Sequence, residues 1–210
     1  MDRDTAVARV KVLMGFKQNL DAEIVQAMIE VQQQLERAPE LPGFLRKAIT
    51  GLVTVADTKT LAVPTDFIRE FDADQLFAAD VDGFEHSIVK DDQGQLRIRY
   101  PVADGTGLPK RYALVDRTIY FYPTPDAAYT LSGTYLAKEA VLSSNIENKW
   151  LLELPEIIIA GAGLHICAGT GYEKGIMLFN AMDTAARAKL HLMTVAADAA
   201  GSKPIMGGED

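Results

Sequence analysis

Three histidines, one cysteine and a run of acids are the residues of this chain with the types to bind a metal ion or move a proton. His165 and Cys167 stand two positions apart in a stretch of helical character, so their side chains point about 200° apart and do not share an ion. His86 and His191 bring no third and fourth ligand at zinc spacing. Asp72, Asp74, Asp80 and Asp82 lack the central glycine and closing glutamate of a calcium loop, and a solvated acidic loop is the simpler reading. Glu153 and Glu156 lie at a helix start, where the helix dipole stabilises acids without any catalytic role. Gly161-Ala162-Gly163 and Gly169-Thr170-Gly171 do not lead from a strand into a helix, and no Walker lysine follows either. No serine or cysteine sits in a nucleophile elbow. The chain therefore reads as a non-enzyme, with no catalytic, cofactor-binding or metal-ligating residue.

The residues that ask for a partner are aromatic. Tyr112, Tyr120, Phe121, Tyr122, Tyr129 and Tyr135 crowd a few short strands, more than a thin sheet buries by itself. Aromatic side chains left at a surface are what interface cores are built from. Tyr120, Tyr122 and Tyr129 are the candidates on the strands, unless the helical bundle covers one face of the sheet. Lys203, Pro204, Ile205 and Met206 are the candidates in the glycine-rich run 201–210, where two apolar side chains stand in an otherwise polar stretch. A loose chain end is the plain alternative there.

Positioning falls to helices at both ends of the chain and strands between. Residues 3–14 carry Val7, Val10 and Met14 at helical spacing, with Gly15 as a stop. A second helix over 19–37 is expected, capped by Asn19 and carrying Leu20, Ile24, Met28, Val31 and Leu35 on one face. A short helix is expected over 41–49. Strands follow over 52–56, 60–63, 67–71, 84–90 and 95–100, the last two joined by a turn at Asp91-Asp92-Gln93-Gly94, and residues 72–83 read as a loop or a weak strand. A three-stranded meander over 111–138 closes this part, with strands at 111–115 and 118–122 and one long strand at 128–137, Asp116-Arg117 as a two-residue turn and Pro123-Thr124-Pro125 as a break.

Pro155 opens a helix through Cys167 that is apolar almost all round and hence buried. Gly161 and Gly163 within it imply close approach of another backbone. A last helix spans 173–199. The expected class is α+β: a helical bundle of N- and C-terminal helices with an inserted antiparallel β block of about seven strands. Its parts are 1–49, the first helices; 50–138, the β domain; 139–199, the last helices; and 200–210, a flexible tail.

Composition sets the remaining bounds. The chain has 210 residues, 48% hydrophobic and 24% charged, with a net charge of −8. These are ordinary values for a folded soluble protein. The only long apolar run, 157–168, is too short to span a bilayer, so no membrane is expected. The first residues lack a signal peptide's apolar core. A single cysteine fits a reducing compartment. The negative charge opposes tight binding of DNA phosphates, which needs clusters of Lys and Arg, but does not argue against lining a channel through which DNA slides.

The wording of three stretches is more specific than their physics. The segment IYFYPTPDAAYTLSGTYLAK over 119–138, TVADTKTLAVPTDFIRE over 54–70 with Pro64, Asp66, Phe67 and Arg69, and LPGFLRKA over 41–48 together resemble the adaptor, or head-to-tail connector, proteins of tailed bacteriophages. The likeness extends over roughly residues 5–195, carried by folding motifs rather than catalytic ones. It implies a structural virion protein, present in host cytoplasm during assembly and in the neck of the particle afterwards. It further implies a homo-oligomeric, dodecameric ring between the portal protein and tail or nozzle proteins, with DNA passing through the lumen at ejection without sequence-specific binding. A tail-tube or nozzle-type tail subunit is one alternative. A small enzyme or sugar-binding module with a pocket in the β domain is another.

Overall fold

The structure is a computed structural model and describes residues 1–15, 19–70, 75–100, 105–143 and 147–201. The chain begins with α1 (Arg3–Leu13) and α2 (Asp21–Glu36), then β1 (Arg46–Ala48), β2 (Leu52–Val53), β3 (Thr60–Ala62) and β4 (Phe67–Glu70). There follow β5 (Gln75–Ala79), β6 (Glu85–Lys90), α3 (Gln93–Arg99), β7 (Arg111–Val115) and β8 (Thr118–Tyr122). The last elements are β9 (Thr130–Ser132), β10 (Thr134–Ala137), α4 (Lys149–Glu153), α5 (Pro155–Thr170) and α6 (Glu173–Gly201). The class is α+β. Contacts divide the chain into two units, Met1–Leu45 with Lys138–Asp210, and Arg46–Ala137.

The first unit is helical and built around α5. Ile157, Ile158, Ile159 and Ala160 are four successive residues at 0% exposure, so α5 has neighbours on every side there. Those neighbours are α1, α2, α4 and α6. The two glycines of α5 are close-packing positions, but what they admit is side chain and not backbone. A Cβ at Gly161 would meet Val31 of α2 at 2.8 Å, and one at Gly163 would meet the Phe179 ring of α6 at 2.4 Å. α1 buries Ala6, Val7 and Val10, and α2 buries Ile24, Met28, Val31 and Leu35 as their spacing requires.

Asn19 does not cap α2. It holds a left-handed φ of 65°, which asparagine tolerates, and Leu20 occupies the cap position without a side-chain bond. The expected helix over 41–49 is a single 3-10 turn, Gly43–Leu45, running straight into β1. Phe44 of that turn meets the Trp150 ring edge-on at 5.1 Å. The polar crossover before α4 is fixed to α2 by buried polar groups. Gln32 donates to the carbonyls of Glu139 and Ala140 at 3.4 and 3.2 Å and to Glu36 at 2.9 Å. Asn148 donates to Ala140 O at 2.6 Å and caps α4 by accepting from Trp150 N at 2.9 Å.

The second unit holds two sheets. One is three-stranded and antiparallel, in the order β1-β10-β4; the other is seven-stranded, in the order β2-β9-β5-β6-β7-β8-β3. This β region is larger than expected, and it is not wholly antiparallel, since β6 and β7 pair in parallel. The reason lies at Asp92. Instead of forming a hairpin turn, its carboxylate accepts from Gln95 N at 3.1 Å and starts α3, which replaces the strand expected over 95–100. A helix between two strands makes a crossover, and a crossover joins parallel strands.

Two further expectations change in this unit. The stretch 72–83, expected as a loop or a weak strand, contains β5, a central strand between β9 and β6, while Asp72 and Asp74 lie outside the described residues. The single long strand expected at the end of the meander is split at Gly133, whose φ of 150° lets the chain leave one sheet as β9 and enter the other as β10. The β7–β8 hairpin is as expected. Asp116 and Arg117 take φ of 45° and 61°, the left-handed pair of a two-residue turn.

Candidate interaction surfaces

The chemically suggestive residues are dispersed. His165 is exposed with Nε2 3.8 Å from Glu30 Oε2, whereas Cys167 is buried on the other side of α5, below Gly175. His191 Nδ1 lies 3.1 Å from Glu40 Oε2. In the β unit, His86 Nε2 lies 3.0 Å from Asp80 Oδ2. The same Asp80 carboxylate accepts from the backbone N–H groups of Asp82 and Phe84, so it forms the β5–β6 turn. The His86 hydrogen bond, supported by those amides, holds its carboxyl below the usual range. Among the described residues, no group of three or more His, Cys, Asp or Glu is placed to hold a metal ion. Glu153 is exposed, whereas one carboxylate oxygen of Glu156 is buried without a hydrogen-bond partner.

A cleft of 490 Å³ opens between α2, α5 and α6, lined by Glu30, Gln34, His165, Asn180, Asp183 and Arg187 among others. Its ionic groups are engaged with one another: Arg187 Nε reaches Asp183 Oδ2 at 2.6 Å, and His165 faces Glu30. This cleft belongs to the helical unit, and a smaller one of 380 Å³ in the β unit is lined by Lys90, Asp91, Asp92 and Gln93 with Ala113, Leu114 and Val115.

The aromatic residues of β7 and β8 divide by the alternation of a strand. Tyr112, Ile119 and Phe121 enter the main β core with Tyr129, Leu131 and Tyr135. Tyr122 takes the other face, where Leu96 of α3 and Tyr100 just beyond it cover the sheet together with Ala113. Tyr122 is therefore 2% exposed and Tyr129 8%, while Tyr120 on the α3 side is half-buried. The helical layer that covers Tyr122 was not foreseen, although Asp92 with Gln95 three residues on is a capping-box signal. Tyr129 donates its hydroxyl to Asp126. That bond and burial push its phenol up to about 12. Lys203, Pro204, Ile205 and Met206 lie outside the described residues.

The PTDFIR segment owes its wording to packing. Asp66 accepts from Lys47 Nζ at 2.6 Å and from the Tyr135 hydroxyl at 2.9 Å, joining β1 and β10 to the turn before β4. Burial opposes ionisation of Asp66, but these two bonds outweigh it and its carboxyl lies below the ordinary range. Phe67 stacks on Tyr135 with ring centroids 5.7 Å apart. Arg117, from the β7–β8 turn, donates to the carbonyls of Pro64, Thr65 and Phe67 at 2.8–3.0 Å. That single side chain satisfies three backbone acceptors of the turn, and only its unusual position in the hairpin aims it there.

Exposed apolar side chains occur on both units, among them Ile98 of α3 at 77%. Val81 and Phe84 stand at the β5–β6 tip, 88% and 68% exposed. Met177, Leu178, Leu192 and Val195 stand along α6. Among the described residues, no helix is long and apolar enough to cross a membrane. No curated protein matches the chain. A family model, SU10 adaptor protein, matches residues 1–203. That span takes in both units, the interleaved sheets and the turn-and-clamp segment around Pro64. The chain belongs to the SU10 adaptor protein family, a family of phage adaptors.

Proposed function

We propose that this protein is the subunit of a head-to-tail connector ring, seated between the portal and the tail and enclosing the DNA channel. Family membership over residues 1–203 carries the reading. The finer picture is a dodecamer whose copies meet through heterologous surfaces, which close a ring when the rotation per subunit divides a full turn. The helices of both chain ends act as one bundle (1–49 with 139–199), the β domain over 50–138 faces a partner, and the tail over 200–210 anchors. Within the β domain the contact is centred on Tyr120, the half-buried member of the aromatic set, with Tyr122 buried on the same face and Tyr129 in the main β core. In the tail it is Lys203, Pro204, Ile205 and Met206. A net charge of −8 favours a lumen that repels the DNA backbone and lets it pass at ejection.

The location at the neck is tested by imaging virions with an antibody or tag on this chain. A symmetric ring between head and tail is the expected result. Label confined to fibres or to the capsid interior would defeat the proposal.

A further inference from the structure

The longest helix of the protein has two apolar faces and uses one. Phe179, Ala186 and Leu190 form the buried face of α6. On the opposite face Met177, Ala181, Ala185, Ala188, Leu192 and Val195 follow one another at steps of four, four, three, four and three residues, the spacing of a helix-contact stripe. Leu178 and Ala196 extend its edge. All are exposed: Met177 is 75%, Leu192 68% and Val195 50% exposed, and the four alanines are open as well. The stripe runs about 28 Å along the helix at 1.5 Å per residue.

Its order of sizes indicates the occupant. When the stripe is laid against a second copy running the opposite way, Met177 falls beside Ala196, Leu178 beside Val195, Ala181 beside Leu192 and Ala185 beside Ala188. Bulky ends meet small residues or each other across an alanine centre, which lets the two backbones approach closely. The charges favour the same direction. Lys174 and Lys189 border the stripe, and a parallel pair would set each against its own copy, whereas the antiparallel pair staggers them. Antiparallel helices also oppose their dipoles.

We propose that α6 of one copy packs antiparallel on α6 of a second, about a two-fold axis passing between Ala186 and Arg187. A two-fold contact does not propagate around a ring, so this dimer is a state of the free chain, distinct from the connector and independent of that reading. It covers an apolar helix face that would otherwise stay in water before assembly. One helix pair of this length falls short of the roughly 800 Å² per partner of a standard interface, so the dimer is weak and reversible.

Sedimentation equilibrium of the full chain from micromolar to near-millimolar concentration tests it. A monomer–dimer equilibrium is expected, weakened at least tenfold by Leu192→Glu, with an unchanged circular-dichroism spectrum showing that this exposed substitution leaves the fold intact. Direction is read from disulfides: a mixture of Met177→Cys and Ala196→Cys chains cross-links, and Met177→Cys alone does not. A monomer at every concentration overturns the proposal. So does self-cross-linking of Met177→Cys, which means a parallel pair. Dimerisation only after removal of residues 202–210 overturns it too, because the chain's own tail then occupies the stripe. Connector rings could form in any of these cases, so failure here leaves the proposed function standing.

Discussion

Gly163 of α5 and Phe179 of α6 are packed so closely that a Cβ at residue 163 would sit 2.4 Å from the ring. Phe179 is completely buried, and it cannot retreat without opening the contact between the two helices. Gly163→Ala should therefore destabilise by about 1–3 kcal/mol through overpacking, although alanine is the better helix former. Gly169 on the same helix has open space around it, and Gly169→Ala should stabilise by about 0.5–1 kcal/mol. Thermal melts of the two variants should move in opposite directions.

Ile158 and Leu164 separate the depth of α5 from its hydrophobicity. Ile158 is at 0% exposure, whereas Leu164 is half-buried at the edge of the cleft. Ile158→Asp buries an unpaired charge and should cost about 3–5 kcal/mol or prevent folding. Leu164→Asp can turn its carboxylate toward the cleft and should cost clearly less. Equal losses in denaturant titrations of both variants would contradict this picture of α5.

Asn148 serves two neighbours at once, capping α4 and holding the Ala140 carbonyl. Asn148→Ala should lose about 1–2 kcal/mol from the cap, while the Ala140 carbonyl keeps Gln32 as a donor. Hydrogen exchange should quicken first at Trp150 and its neighbours, before any global loss of protection.

Asp66 makes stability depend on acid. Its carboxyl titrates below the ordinary value of 3.8 in the folded chain, so the contribution is fully present above that value. It is lost as pH falls through the lower, folded value. Wild type should lose this stability from about pH 4 downward, and Asp66→Asn should be less stable at neutral pH with a flatter acid limb. Urea midpoints across that range provide the measurement.

Tyr129 makes the opposite prediction at the alkaline end. Its phenol titrates near 12 instead of 10, so it stays protonated in the folded chain after an unfolded one would ionise. Stability from this group is present below pH 10 and is lost as pH rises toward 12. An ultraviolet titration should show Tyr129 among the late tyrosines, with Tyr135 also raised by burial and its bond to Asp66, and Asp126→Asn should bring Tyr129 earlier by removing the carboxylate that accepts its hydrogen bond.

Local chemistry in the chain itself determined a good part of this protein. The spacing of Ile24, Met28, Val31 and Leu35, the proline at the head of α5 and the turn at Asp116-Arg117 are decided by residues within a few positions of one another. The motif order that resembles phage adaptors was also legible, because folding motifs survive as wording. Tertiary structure decided what depends on distant residues. Whether Asp92 begins a turn or a helix is settled by whether Leu96 finds a sheet to cover, and it finds Ala113 and Tyr122. β5 became a central strand because β6 and β9 lie on either side of it. β1 exists because β10 offers an edge, since Arg46, Lys47 and Ala48 have no pattern of their own. The same holds for the partner-seeking aromatics, whose exposure depends on α3 arriving from another part of the sequence. Strand pairing and surface cover are long-range quantities, and a short window of sequence carries only one of the two sides of each contact.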